Sequence, residues 1–201
     1  MTILSVNKTR EPMGAVCAHF LWDGRGMRPF LLGRDPMRKK SRNLAYGAMI
    51  AALYVVLTYL QNLIFPDSAT MAIQFRASEA LCVLAFFTPA AIPGLSLGCL
   101  IFNLSYAMAL PLDPVVGTLA TLGATTCMRL LRRWPVVGLL MPAVWNALLV
   151  GWELAYYIGG GFWFNAACVA IGEAAVLLTL GSGLSYGMKV RNLHTRLFGE
   201  K

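Results

Sequence analysis

The fold this sequence predicts is an all-α integral membrane protein, a bundle of six transmembrane helices. Three observations predict it. Hydrophobic residues make up 58% of the 201 and charged ones only 13%, with a mean hydropathy of +0.63. A soluble domain carries about 25% charged and roughly 45–50% apolar residues. Six apolar segments follow residue 43, and the basic residues sort to one side of a membrane crossed six times. So much apolar surface excludes a disordered chain and argues against a soluble enzyme.

Residues 1–43 form a polar, basic tail whose one apolar stretch, Met13 to Trp22, is too short to span and lacks a clear cleavage site. Met37-Arg-Lys-Lys-Ser-Arg42 reads as an alternative start: a methionine and a basic cluster just before the first span. The membrane domain runs over 44–188, with spans at about 44–64, 77–92, 94–110, 114–131, 136–158 and 162–188, and a basic tail at 189–201. Spans two and three are short and joined by Pro89-Ala-Ala-Ile-Pro-Gly94, a tight helical hairpin. Asp113-Pro114 suits a helix start, with Asp as N-cap and Pro at the first helical position. Gly159-Gly160-Gly161 is a turn between spans five and six.

Nine of the seventeen Lys and Arg precede span one, Arg129, Arg132 and Arg133 follow span four, and Lys189, Arg191, Arg196 and Lys201 follow span six. Only Arg76 departs from the pattern, so the positive-inside rule places both termini in the cytoplasm of a multi-pass cell-membrane protein.

A charge at the bilayer centre costs at least ~2.5–3.5 kcal/mol, so buried charges normally mark a functional cavity. Here they are Arg76, Glu79, Glu153 and Glu173, joined by the amides Gln74, Asn103 and Asn146. The topology places nearly all of them in the outer half, which implies an outward-facing polar pocket. Phe75, Tyr106, Trp152, Tyr156, Tyr157, Phe162 and Trp163 accompany it. Carboxylates, amides and aromatic faces suit a flat hydrogen-bonding heterocycle, since a carboxylate can accept both donors of a guanine-like edge. The structural alternatives are an interfacial Arg76–Glu79 pair, interhelical amides, a solvated Glu153, an aromatic belt, and Asp113 and Asp67 as cap and loop acids. Ala48 and Ala52, and Gly94 and Gly98, are small pairs at helical spacing, suited to packing within the bundle or against another subunit.

The five scattered cysteines and two histidines suggest no disulfide or metal site, and no phosphate-binding loop, zinc-protease motif or dinucleotide fingerprint is present. No catalytic residue and no cofactor is expected. Uphill transport would need an ion gradient or a separate ATPase.

These stretches resemble the QueT-type substrate-binding (S) components of energy-coupling-factor (ECF) transporters. The resemblance is carried by Ile73-Gln-Phe-Arg-Ala-Ser-Glu-Ala-Leu81, Ala91-Ile-Pro-Gly-Leu-Ser-Leu-Gly-Cys-Leu-Ile-Phe-Asn103, Asp113-Pro-Val-Val-Gly-Thr-Leu-Ala-Thr-Leu122, Asn146-Ala-Leu-Leu-Val-Gly-Trp-Glu153 and Gly172-Glu173, in order over nearly all of 44–188. It implies a six-helix S component that captures queuosine precursors, 7-deazaguanine bases such as preQ1, preQ0 or queuine. The implied ligand contacts are Gln74, Arg76, Glu79, Asn103, Asn146, Glu153 and Glu173. It also implies docking through Ala48 and Ala52 on a transmembrane coupling subunit that carries two ATPase subunits. The competing expectation is a small ion-coupled secondary transporter with Glu173 as coupling site. A membrane-embedded transferase or hydrolase using Glu153 and Glu173 is disfavoured, because no positioned nucleophile or metal cluster accompanies them.

Overall fold

The computed structural model describes residues 36–66, 75–106, 109–193 and 197, with side chains described from residue 40 onward. The chain divides into two compact units, residues 1–39 and 40–201, and the helical bundle is the second. The tail 1–35, Asp67 and Gln74 lie outside the described residues.

Helix α1 runs from Pro36 to Ile64, so the basic stretch before span one is itself helical and continuous with it. The second apolar segment opens as a 3₁₀ helix, Ala77–Val83, and continues as the single α-turn α2, Leu84–Phe87. A turn at 88–90 leads into α3, Ala91–Ser105. Next come α4, Asp113–Leu130, and α5, Pro135–Tyr157. α6, Phe162–Val176, passes through a π-turn, Leu177–Gly181, into α7, Ser182–Val190. No strand occurs among the described residues.

Three helical stretches, Lys40–Ile64, Pro135–Tyr157 and Phe162–Val190, are long and apolar enough to cross a bilayer. The segments 77–87 and 91–105 are shorter apolar helices, as the brevity of spans two and three foreshadows. α4 falls at the bounds expected for span four but is not among the three long apolar stretches, and its Thr118, Thr121 and Thr125 hydroxyls return to carbonyls four residues earlier. Leu44, Met49, Leu53, Val56 and Leu60 leave α1 with an exposed apolar face, and Val144, Leu148, Phe164, Ile171 and Leu178 do the same for α5 and for α6 with its π-turn. Water would not tolerate so much apolar surface, whereas hydrocarbon does. The protein is a multi-pass helical membrane protein.

Small residues bring α1 and α3 together. A Cβ on Gly94 would stand 2.6 Å from the Gly47 carbonyl oxygen, and one on Gly98 would stand 2.8 Å from the Tyr54 Cβ and 3.0 Å from the Ala51 oxygen. Gly94 and Gly98 are therefore used inside the bundle, against Gly47, Ala51 and Tyr54, while Ala48 and Ala52 on the same helix are exposed. Because backbone cannot yield as a flexible side chain can, Gly94→Ala is expected to destabilise the purified protein by about 1–3 kcal/mol. Thermal unfolding in detergent, compared with Gly183→Ala where a Cβ meets nothing within 4 Å, checks this.

The turn between α5 and α6 needs its glycines. Gly159, Gly160 and Gly161 have φ of 88°, 83° and 80°, a region that side chains with a Cβ rarely enter, and Asn165 Nδ2 closes the turn on the Gly159 carbonyl at 2.7 Å. The larger apolar core, including Ile50, Leu81, Leu95, Met128, Leu139 and Leu177, fills the bundle, and a smaller one of Val116, Val150, Leu154 and Val169 sits between α4, α5 and α6.

Candidate functional site

The alternation of helix directions gathers one set of ends. The C-terminal parts of α1, α3 and α5 meet the N-terminal ends of the second segment and of α4, while Glu173 enters from within α6. Six of the seven expected binding residues are placed there: Arg76 is 2% exposed, Asn103 and Asn146 are 3%, and Glu79, Glu153 and Glu173 are 0%. The seventh, Gln74, is outside the described residues.

Arg76 precedes the 3₁₀ helix in extended conformation (φ −101°, ψ 98°), and its carbonyl accepts the Glu79 N–H at 3.0 Å. Glu79 accepts from Tyr54 Oη at 2.8 Å through Oε1 and from Cys82 Sγ at 3.0 Å through Oε2. Burial of both residues rules out an exposed ion pair at the membrane surface. Arg76 Nη1 lies 4.0 Å from Cys99 Sγ, and the guanidinium is within electrostatic reach of Tyr54, Asp113, Glu79, Glu153 and Glu173.

Asn103 Nδ2 donates to the Asp113 carbonyl at 2.9 Å and approaches Cys99 Sγ at 3.6 Å. Gly117 makes that approach possible, since a Cβ there would stand 2.7 Å from Asn103 Nδ2. Asp113 departs from the expected N-cap role. Leu112 occupies the cap position and Asp113 is the first helical residue, 3% exposed, with Oδ2 accepting the Leu110 N–H at 2.9 Å. Its charge faces Arg76 and Glu153. Asn146, on α5, lies beside Glu173.

The cluster therefore holds four acids, Glu79, Asp113, Glu153 and Glu173, around Arg76. Buried polar atoms are paired in nine cases out of ten or more, and burying an unpaired carboxylate costs several kcal/mol. Here, among the described residues, both oxygens of Glu153, both of Glu173, and Oδ1 of Asn103 find no partner at hydrogen-bond geometry. Acceptors that the fold itself leaves unpaired are those a donor-rich ligand can engage.

The aromatic residues divide. Tyr106 stacks on the buried Phe102 at 5.1 Å, with Tyr59 edge-on to both. Trp152, Tyr156, Tyr157 and Trp163 are 50%, 71%, 40% and 81% exposed, so they form an outward-facing aromatic group and do not line the buried cluster. Phe75 is also exposed, and Phe162 packs edge-on to Trp163.

Sequence reasoning missed Tyr54, Cys82, Cys99 and Asn62. Tyr54, Thr58 and Asn62 recur every four residues on α1, a polar stripe in an apolar helix that would have revealed them. Thr58 Oγ1 donates to Ser78 Oγ at 2.7 Å, tying α1 to the 3₁₀ helix. One turn beyond, Asn62 is 8% exposed, with neither amide atom partnered among the described residues. Its neighbour Gln61 braces the chain entering the site, accepting the Ala77 N–H at 2.6 Å and donating to the Phe75 carbonyl. Among the described residues no group of His, Cys, Asp and Glu is arranged to hold a metal ion.

The chain is 38% identical over 86 residues to a protein of Lactococcus lactis subsp. cremoris (strain MG1363) named "Queuosine precursor transporter QueT". That alignment covers 42% of this chain and 48% of the relative, so it spans about half the relative's length. No solved structure matches. The QueT transporter family, by contrast, matches residues 44–189, nearly all of the helical bundle and every one of its buried acids. On that match the chain belongs to the QueT transporter family.

Proposed function

We propose that this protein captures queuosine precursors, 7-deazaguanine bases, as the membrane-embedded S component of an ECF-type importer. Both termini lie in the cytoplasm, the bundle 44–188 resides in the cell membrane, and ATP is hydrolysed on partner subunits. The single observation that carries the substrate reading is the cluster of four buried acids around one arginine, with the Glu153 and Glu173 oxygens unpaired among the described residues. A guanine-type edge presents an N–H and an exocyclic amine side by side, which one carboxylate accepts as a bidentate pair. The formal excess of acids over Arg76 favours a precursor that also bears an ammonium group. PreQ1 has one; preQ0 and guanine do not. The name of the Lactococcus relative agrees with this substrate class.

In this reading Glu153 and Glu173 accept from the ligand. Arg76 offsets the acids while the site waits, and Asn103, Asn146 and Gln74 complete the contacts. Glu79, already held by Tyr54 and Cys82, supports Arg76 and the 3₁₀ helix as well as facing the ligand. Ala48 and Ala52, exposed on α1, provide the surface for the coupling subunit.

Isothermal titration of the purified protein in detergent with preQ1, preQ0, queuine and guanine tests the proposal. A charge-assisted bond is worth about 1.5–3 kcal/mol, so preQ1 is expected to bind roughly 10- to 150-fold tighter than guanine. Absence of binding by all four, in a sample shown to be folded, overturns the substrate reading. Guanine binding as tightly as preQ1 overturns the role given to the acid excess.

A further inference from the structure

At the opposite end of the bundle, away from the acidic cluster, the structure holds a second site of opposite charge. A cavity of about 350 Å³ lies between Arg132 and Arg133 of the α4–α5 connection, Pro135 at the start of α5, Phe86 and Phe87 of α2, and Lys189 at the end of α7. Its volume falls in the range of roughly 300–1,000 Å³ typical of small-molecule sites. The Ser185 hydroxyl, one helical turn before Lys189, also lines it.

Arg132 and Arg133 are neighbours in sequence and Lys189 lies more than fifty residues beyond them, and the fold converges all three on one cavity. None has a hydrogen bond or ion pair among the described residues. Arg129 beside them is different: it donates to the Ala85 and Phe86 carbonyls at 3.4 and 3.1 Å, holding the end of α2 that forms the cavity floor. Three like charges facing one cavity repel unless an anion sits among them. The rim is apolar. Leu130, Trp134, Val136 and Val137 are 76%, 68%, 69% and 45% exposed on the two helix ends that flank the connection. A free anion has no use for that rim, whereas a molecule with a phosphate head and hydrocarbon tails matches both parts. The distribution of Lys and Arg puts this end at the cytoplasmic leaflet, where anionic lipids supply such heads.

We propose that this cavity binds the phosphate of an anionic phospholipid, with Arg132, Arg133, Lys189 and Ser185 around the headgroup and the acyl chains along Trp134, Val136 and Val137. The proposal is independent of the substrate reading.

Native mass spectrometry of the full chain, delipidated and then titrated with phosphatidylglycerol or phosphatidylcholine, tests it. Each cation near an anionic surface contributes about fivefold, so phosphatidylglycerol is expected to be retained at least on the order of tenfold better. Arg132→Gln/Arg133→Gln should abolish that preference, and Arg132→Lys/Arg133→Lys should keep most of it. Both changed positions are exposed at the surface, and the lysine variant controls for damage to the fold. Equal retention of the two lipids, or an unchanged preference in the glutamine variant, overturns the proposal. Binding of inorganic phosphate without any preference for phosphatidylglycerol overturns the lipid assignment, because the source is then a soluble anion.

Discussion

Glu173→Gln is expected to weaken ligand binding by roughly 10- to 150-fold while the purified protein stays folded. The carboxylate presents two buried acceptors, neither partnered among the described residues, on a side chain that is 0% exposed. An amide replaces one of them with a donor, which would meet the ligand's own donor face to face. The substitution keeps the side chain's volume, so the packing around α6 and the π-turn does not change. It also removes an unpaired buried acid, whose desolvation opposes folding. The ligand-free variant should therefore melt no lower than the parent, and even slightly higher. This pairing of lost affinity with retained or increased thermal stability is the signature of a binding group held at the expense of stability. Titration with preQ1 and thermal unfolding on the same preparation read both. Unchanged affinity removes Glu173 from the site, and a marked fall in melting temperature reassigns it to the fold.

The second large effect separates binding from transport. Ala48→Trp is expected to leave the dissociation constant within about twofold of the parent and to abolish cellular uptake of the base. Gly47 and Ala51 face α3, so the exposed Ala48 and Ala52 point away from that contact and a large side chain there disturbs no internal packing. The same chain at Gly94 or Gly98 would collide with backbone. An indole on a small-residue surface blocks the close approach of another helix. Normal uptake by Ala48→Trp would remove this face from the docking surface. Uptake that persists with a catalytically dead ATPase partner would instead favour an ion-coupled carrier.

The polar residues show how far a sequence can be read. Glu173 announces itself because little in the middle of an apolar span explains a carboxylate; Glu153 had solvation at the outer end of its span as an alternative, and the structure keeps both wholly buried. Asp113 gave no such signal. It stands before a proline at a helix start, where a capping role explains it fully, yet the fold turns it inward beside Arg76 and Glu153. Cys82 and Cys99 were equally silent, since a thiol in an apolar run packs as a small hydrophobe until a partner such as Glu79 faces it. The exposed tryptophans and tyrosines mislead in the other direction. Their composition suits a heterocycle, but their helix faces point outward.

What the sequence determined by itself was the class of fold, the order of its apolar segments, and the presence of charges that an apolar interior must accommodate. These depend on composition and on the reach of a helix across a bilayer, which are properties of single segments. The tertiary structure alone decided which of those charges meet, that the second segment opens as a 3₁₀ helix carrying Glu79 toward Tyr54, and that Arg132, Arg133 and Lys189 share one cavity. Such meetings depend on the rotation of each helix about its axis and on the packing of α1 against α3 through Gly47, Gly94 and Gly98. Those are set by contacts between segments distant in sequence, where no single segment carries the information.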